Sequence, residues 1–240
     1  MYNEYLALAS RIKGLDLGDY LEFGCGDGGF LKYVLDLNDS FKSVTAVDIN
    51  PESVKQARIT LENYNVQFII QEILPLGLEA GHFSYITLSN TLHHLKDKPL
   101  VFAELKRLIR KSGRIIITEM ISDQLTLPEQ VYCLFHGFRA RIDRLNDVYH
   151  DTTYTEHEIR NMVNEAGLKI VDQVMMMNDK VVEIDAVEIE RIEGLLDEML
   201  EKAKKSSEMA SLLQEVKKIK KMLKAHGIKR PRQLYLEAVV

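Results

Sequence analysis

From about residue 19 to residue 120, short β-rich runs alternate with stretches whose apolar residues recur at helical spacing. The strand candidates are Tyr20 to Phe23, Ser43 to Val47, Val66 to Ile70, Phe83 to Leu88 and Gly113 to Glu119. This alternation predicts a parallel sheet covered by helices, because parallel neighbours need a crossover between them. Asn50-Pro51 supplies a cap and a first-turn proline for a helix running to Leu61. Leu100, Phe102, Leu105, Leu108 and Ile109 mark another over 97–109, with Lys111-Ser112-Gly113 predicted to close it. After Glu119 the alternation breaks. Leu127 to Arg144 reads as a helix carrying Tyr132, Phe135 and Phe138 beside Arg139, Arg141 and Arg144, a lid over 121–150. Thr155 and Glu158 form a capping box for the next helix, and Lys169 to Met175 reads as a sixth strand.

Between 183 and 228 the apolar residues repeat as in a short coiled coil, first Ile189, Ile192, Leu196 and Met199, then Leu212, Val216, Ile219 and Leu223. Ser206-Ser207 is the expected turn of an antiparallel hairpin. Arg232 to Val240 reads as a last strand returning to the sheet. The expected architecture is an α/β, Rossmann-like, doubly wound and mostly parallel seven-stranded sheet with an antiparallel last strand and an inserted α-helical hairpin. Its expected domains are 1–182 together with 229–240, and the hairpin 183–228.

Composition narrows the function classes. The 240 residues are 46% hydrophobic and 28% charged, with a net charge of −5, which excludes a disordered or collagen-like chain and disfavours general nucleic-acid binding. Residues 183–201 carry eight acids against one base, whereas 202–232 carry eleven bases against two acids. Neutralisation of one arm by the other is the plain reading. Self-association through 183–228, or docking of nucleic acid on the basic arm 217–232, stays open. Cys25 and Cys133 are too few for a disulfide framework, and neither a membrane span nor a signal peptide is legible, so a cytoplasmic protein is expected.

The chemistry concentrates in Leu21 to Phe30, LEFGCGDGGF, a glycine-rich turn between a strand and a helix. Gly24, Gly26 and Gly29, with Asp48 some twenty residues on, also satisfy the dinucleotide fingerprint, so a nicotinamide-dependent oxidoreductase is one reading. Glu22 argues against it. An acid beside the turn disfavours a diphosphate and suits a ligand bearing an ammonium and a sulfonium.

Glu22-Phe23-Gly24-Cys25-Gly26-Asp27-Gly28 resembles the E/D-x-G-x-G-x-G signature of class I S-adenosylmethionine-dependent methyltransferases. Val47 to Asn50, the Leu92-His93-His94 segment after Asn90, the run Glu104 to Arg114, and Glu119 resemble further segments of that family in order. The resemblance implies S-adenosyl-L-methionine as cofactor, with Gly24 and Gly26 against its methionine part, Glu22 acting nearby, Asp48 at both ribose hydroxyls, and Cys25, Gly28 and Ile49 among the further cofactor-binding residues. It implies Glu72 and Ile73 at the adenine and Asn90 nearby. Gln71-Glu72 departs from the family's usual small residue and Asp, which weakens the adenine contact. A small-molecule acceptor is expected, with oxygen, nitrogen and carbon all open.

In-line methyl transfer requires alignment and exclusion of water, and an acceptor that must lose a proton also needs a base. His150, His94, Glu119 and Tyr154 are the candidates, with His150 preferred. No metal is expected, because the adjacent imidazoles of His93 and His94 diverge. A protein that binds the cofactor but acts as a scaffold through its hairpin is the alternative from another class.

Overall fold

The computed structural model describes residues 3–71, 74–177, 182 and 184–240. Its elements in chain order are α1 (Asn3–Ile12), β1 (Gly18–Phe23), α2 (Gly29–Leu37), β2 (Phe41–Asp48), α3 (Pro51–Thr60), β3 (Gln67–Ile70) and β4 (Phe83–Ser89). A single 3₁₀ turn (Leu92–His94) then leads to α4 (Lys98–Leu108), β5 (Ile109–Met120), α5 (Leu127–Leu145), α6 (Glu156–Glu165) and β6 (Lys169–Met176). The helical pair α7 (Ala186–Lys202) and α8 (Met209–His226) precedes β7 (Gln233–Val239).

Local chemistry sets the boundaries. Asn50 Oδ1 accepts from the Glu52 and Ser53 amides, and Pro51 needs no partner for a missing N–H, so α3 starts there. Asp97 caps α4 through the Leu100 amide. Thr126 with Glu129, and Thr155 with Glu158, form capping boxes for α5 and α6. One expected boundary is corrected. Lys111-Ser112-Gly113 does not end α4, because Ile109 is already extended and paired with Phe83, and the ladder resumes at Tyr85 with Arg114 after a bulge.

The seven strands lie in the order β3-β2-β1-β4-β5-β7-β6, parallel except that β7 runs antiparallel to both neighbours, as expected. Period-two alternation divides the core. Leu21 and Phe23 of β1 face one side, with Phe102 and Leu105 of α4 and Ile159 and Val163 of α6. Tyr20 faces the other, with Leu8 and Ile12 of α1 and Leu31 and Val34 of α2. The first helix had no counterpart among the expected elements. Its buried pair one turn apart is a short stripe.

A third core joins the lid helix to the hairpin. Val131, Phe138 and Ile142 of α5 pack with Ile192 and Leu196 of α7 and with Leu212, Val216, Ile219 and Leu223 of α8. Arg141 of α5 reaches across to Glu215 at 2.7 Å and to Glu208. Lys220 pairs with Asp197 and Lys224 with Glu193, at 2.7 and 3.0 Å, so part of the basic arm's charge is met within the hairpin. No described helix is long and apolar enough to cross a membrane.

Candidate active site

The chain leaves β1 into a turn in which the amides of all four glycines and of Cys25 are already committed. Gly24 N and Cys25 N both donate to the Val47 carbonyl, Gly26 N donates to Asp48 Oδ2 at 2.8 Å, and Gly28 N donates to the Cys25 carbonyl. Gly29 N donates to Asp27 Oδ1. A diphosphate cradle needs amides aimed at the ligand. This turn offers instead two carboxylates, Asp27 and Asp48. Asp48 Oδ1 also accepts from the Asn50 amide, which fixes its carboxylate across the mouth of the turn.

Two glycines are required here for different reasons. Gly24 has φ +80°, and a Cβ on it would stand 2.4 Å from Thr91 Cγ2. Gly26 has φ +53° and a Cβ direction that meets nothing within 4 Å, so its open side is available to a ligand. Beyond Asp48, Ile49 is 61% exposed, an apolar surface suited to a flat ring. Glu72 and Ile73, expected at that ring, lie outside the described residues. Asn90 sits at φ +49° with Oδ1 buried and without a hydrogen-bond partner, an acceptor held ready beside the turn.

Glu22 behaves differently from the fixed anion assumed from sequence. It is fully buried on β1, where its Oε2 accepts from the Tyr20 hydroxyl at 3.0 Å and from the Thr87 hydroxyl. Burial pushes its carboxyl up to about 8, outweighing those two hydrogen bonds, so it is largely neutral at pH 7 until a cation comes near. Cys25, also buried, has its thiol pushed up to about 12 by desolvation and by Asp48 and Glu22, which makes it packing and not a nucleophile.

On the far side of the turn is a nest of imidazoles. Thr91 Oγ1 donates to the Gly24 carbonyl at 3.3 Å, and the 3₁₀ turn that follows carries His93 inward. His93 Nδ1 meets Glu119 Oε1 at 2.8 Å, and Glu119 Oε2 accepts from the Leu92 amide, so this buried carboxylate orients the histidine. His150 is 1% exposed; its Nδ1 meets Asp143 Oδ2 at 2.6 Å and its Nε2 faces His136 Nε2 at 3.2 Å. His94 lies against both, with ring centroids 4.3 Å from His93 and 4.2 Å from His150. Loss of hydration, followed by the neighbouring imidazoles, holds His136 down to about 3 and lowers His94. Desolvation also lowers His150, against the pull of Asp143.

The expected candidates therefore divide. His150, His94 and Glu119 come together, joined by His93. Tyr154 stands apart: its hydroxyl donates to Asp151 Oδ2 at 2.8 Å, and burial with that carboxylate raises the phenol far above its ordinary value. Asp151 in turn ties the loop down, its amide donating to the His93 carbonyl at 2.7 Å. Arg144 donates to the His150 carbonyl, and Arg139 lies 3.9 Å from Asp143. His136 and Asp143 had not been singled out. Their spacing of seven puts both on one face of α5, and that was the available signal. A cavity of about 630 Å³ between α5, α7 and residues 228–230 meets the nest only at Asp143 and is lined by none of the glycine-turn residues.

Residues 21–117 match the family model described as "Methyltransferase domain". The chain is 27% identical over 143 residues to the polyketide synthase component of lovastatin nonaketide synthase from Aspergillus terreus, covering 57% of this chain and 5% of the synthase. It is 22% identical over 158 residues to O-methyltransferase cnsE of Penicillium expansum, covering 63% of this chain and 52% of that protein. Thus the chain spans a twentieth to a half of these relatives' lengths. Among solved structures, the S-adenosylmethionine dependent methyltransferase from Mesorhizobium loti superposes with a TM-score of 0.56 at 13% identity, over 99% of this chain and 98% of that one.

Proposed function

We propose that this chain, whose residues 21–117 match a methyltransferase-domain model, is a class I S-adenosylmethionine-dependent methyltransferase that transfers a methyl group to a small-molecule acceptor whose proton leaves from a hydroxyl or an activated carbon. The cofactor, S-adenosyl-L-methionine, supplies an electrophilic methyl on a sulfonium sulfur. We assign Asp48 to accept from the ribose hydroxyls, the open side of Gly26 to lie along the methionine part, and the unpaired Asn90 Oδ1 to accept from its ammonium. Ile49, with Glu72 and Ile73, is assigned to the adenine.

The observation that carries the reading is the link from Gly24 through Thr91 to His93, which makes the glycine turn and the imidazole nest one continuous unit. A carboxylate behind a buried imidazole orients the ring and stabilises its charged form once it accepts a proton. Both His93, backed by Glu119, and His150, backed by Asp143, have that arrangement. His93, His136 and His150 are buried, which would keep water from an acceptor held against them. One relative's name specifies oxygen methylation, and another is a polyketide synthase component; both are compatible with an acceptor that must lose a proton.

Calorimetry with S-adenosylhomocysteine and with NAD tests the cofactor half, and the first is expected to bind alone, since the Asp27 and Asp48 carboxylates at the turn disfavour a diphosphate. Turnover of methyl-labelled cofactor over phenols, hydroxy acids and β-ketoacyl thioesters tests the rest. Transfer confined to amines overturns the acceptor class. Affinity without turnover on any acceptor favours the scaffold reading.

A further inference from the structure

We infer that His93, His136 and His150 form a binding site for one divalent transition-metal ion, Zn²⁺ in the simplest case, with a fourth position open to water or to the acceptor's oxygen. The three residues come from separate segments: the 3₁₀ turn after β4, the lid helix α5 and the loop after it. All three are buried, and each offers a ligand atom within 4.8 Å of the others'. Adjacent nitrogens in a tetrahedral site with metal–nitrogen bonds of about 2.0–2.1 Å stand roughly 3.3 Å apart. His150 Nε2 and His136 Nε2 are already 3.2 Å apart, so only the third ring has to move inward, by at most about 1.5 Å.

The surroundings support a metal more specifically than the distances do. Nδ1 of His93 faces Glu119 and Nδ1 of His150 faces Asp143, so each neutral ring gives its proton to a carboxylate and turns the bare Nε2 inward. That is the outer-shell arrangement that orients metal-binding histidines and strengthens them as ligands. His136 is the ring whose tautomer an ion would change. Facing the bare His150 Nε2, its own Nε2 must carry the proton, which leaves Nδ1 a buried lone pair without a partner. In the alternative tautomer, with the proton on Nδ1, Nε2 is free to join the other two on a cation. His94, packed against His93 and His150, walls the site. Three imidazoles with an open position favour zinc over magnesium or calcium, which prefer oxygen ligands. An ion there would occupy the lone pairs of His93 and His150 and would itself take over their part in removing the acceptor's proton, by lowering the pKa of a hydroxyl bound to it; that use rests on the methyl-transfer reading, whereas the site itself does not.

The full chain, stripped with a chelator and dialysed, is titrated with ZnCl2 and separately with CoCl2. We expect one ion per chain at micromolar or lower concentration and the intense visible bands of four-coordinate Co²⁺. His136→Asn is expected to weaken zinc binding by at least a hundredfold, and Asp143→Asn by about 10–100-fold. Near-ultraviolet circular dichroism checks that both variants are folded, and the cobalt spectrum of the unaltered chain decides the matter even if they are not. No uptake, a pale six-coordinate spectrum, or unchanged zinc affinity in folded His136→Asn overturns the site. Stripped protein that binds S-adenosylhomocysteine but takes up no ion refutes the metal and leaves methyl transfer standing; ion-loaded protein with no affinity for that nucleoside does the reverse.

Discussion

Alanine at Gly24 and at Gly26 should act in opposite ways although the two glycines are one residue apart. Both have positive φ, which costs an alanine about 1–2 kcal/mol. Loss of glycine's freedom in the unfolded chain offsets roughly 0.4–1 kcal/mol of that. For Gly26→Ala nothing else enters, since its Cβ meets open space, so the net destabilisation is about 0.5–1 kcal/mol. For Gly24→Ala the new methyl would sit 2.4 Å from Thr91 Cγ2 and 2.7 Å from its hydroxyl. Thr91 must rotate, and its hydrogen bonds to the Gly24 and Ser89 carbonyls are worth about 0.5–1.5 kcal/mol each. The total is about 2–4 kcal/mol. At about 2–4 °C per kcal/mol for a domain of this size, Gly24→Ala should lower Tm by roughly 4–16 °C and Gly26→Ala by roughly 1–4 °C. Binding should reverse the order of harm per unit of stability. The Gly26 methyl occupies the face assigned to the cofactor, and S-adenosylhomocysteine affinity should fall at least about tenfold, or 1.4 kcal/mol, in a protein that is otherwise intact. Thermal melts with calorimetry on the same samples check both halves. A folded Gly26→Ala that binds like the unaltered chain would refute the assignment of that face.

Three further outcomes follow from other parts of the molecule. Glu22 holds its proton more tightly folded, near 8, than unfolded, near 4.5, so its contribution is most favourable below the unfolded value and declines as pH rises through that interval, levelling off above it; urea unfolding should therefore show Glu22→Gln gaining on the unaltered chain as pH rises, and parallel curves would count against the buried acid. Leu223→Ala, at a fully buried position between α5, α7 and α8, should cost about 2–5 kcal/mol in urea unfolding. Glu119→Gln should lower kcat on any acceptor by about 10²–10⁴ while leaving S-adenosylhomocysteine affinity nearly unchanged, because Glu119 acts through His93; an affinity loss as large as the kcat loss would place it at the cofactor instead.

Much of this was legible in the chain because local signals agreed with the tertiary arrangement. The strands from β1 to β7 announce themselves by apolar runs between capping residues, and Asn50-Pro51 and Thr155 with Glu158 start helices where their side chains predict. The turn after α4 misled because Lys-Ser-Gly reads as a helix stop, while pairing of Ile109 with Phe83 had already drawn the chain into the sheet. The imidazole nest was only half visible. His93, His94 and His150 stood out, but the partner that gives His150 its orientation is Asp143, and the expected lid helix over 121–150 did not by itself single out which of its faces turns toward the strand ends. Glu22 shows the same limit in electrostatics. Its charge was inferred from residue type, and burial beside Tyr20 and Thr87 alters it.

The position of β7 bears on how the chain is made. It lies between β5 and β6, yet it is synthesised after α7 and α8, so on the ribosome β6 has no neighbour to join and β5 presents an open edge until the hairpin has emerged. Such distant pairing closes late and slowly, with aggregation as the competing fate of the waiting edges. Early packing of the hairpin onto α5 would shorten that wait by carrying β7 to its slot.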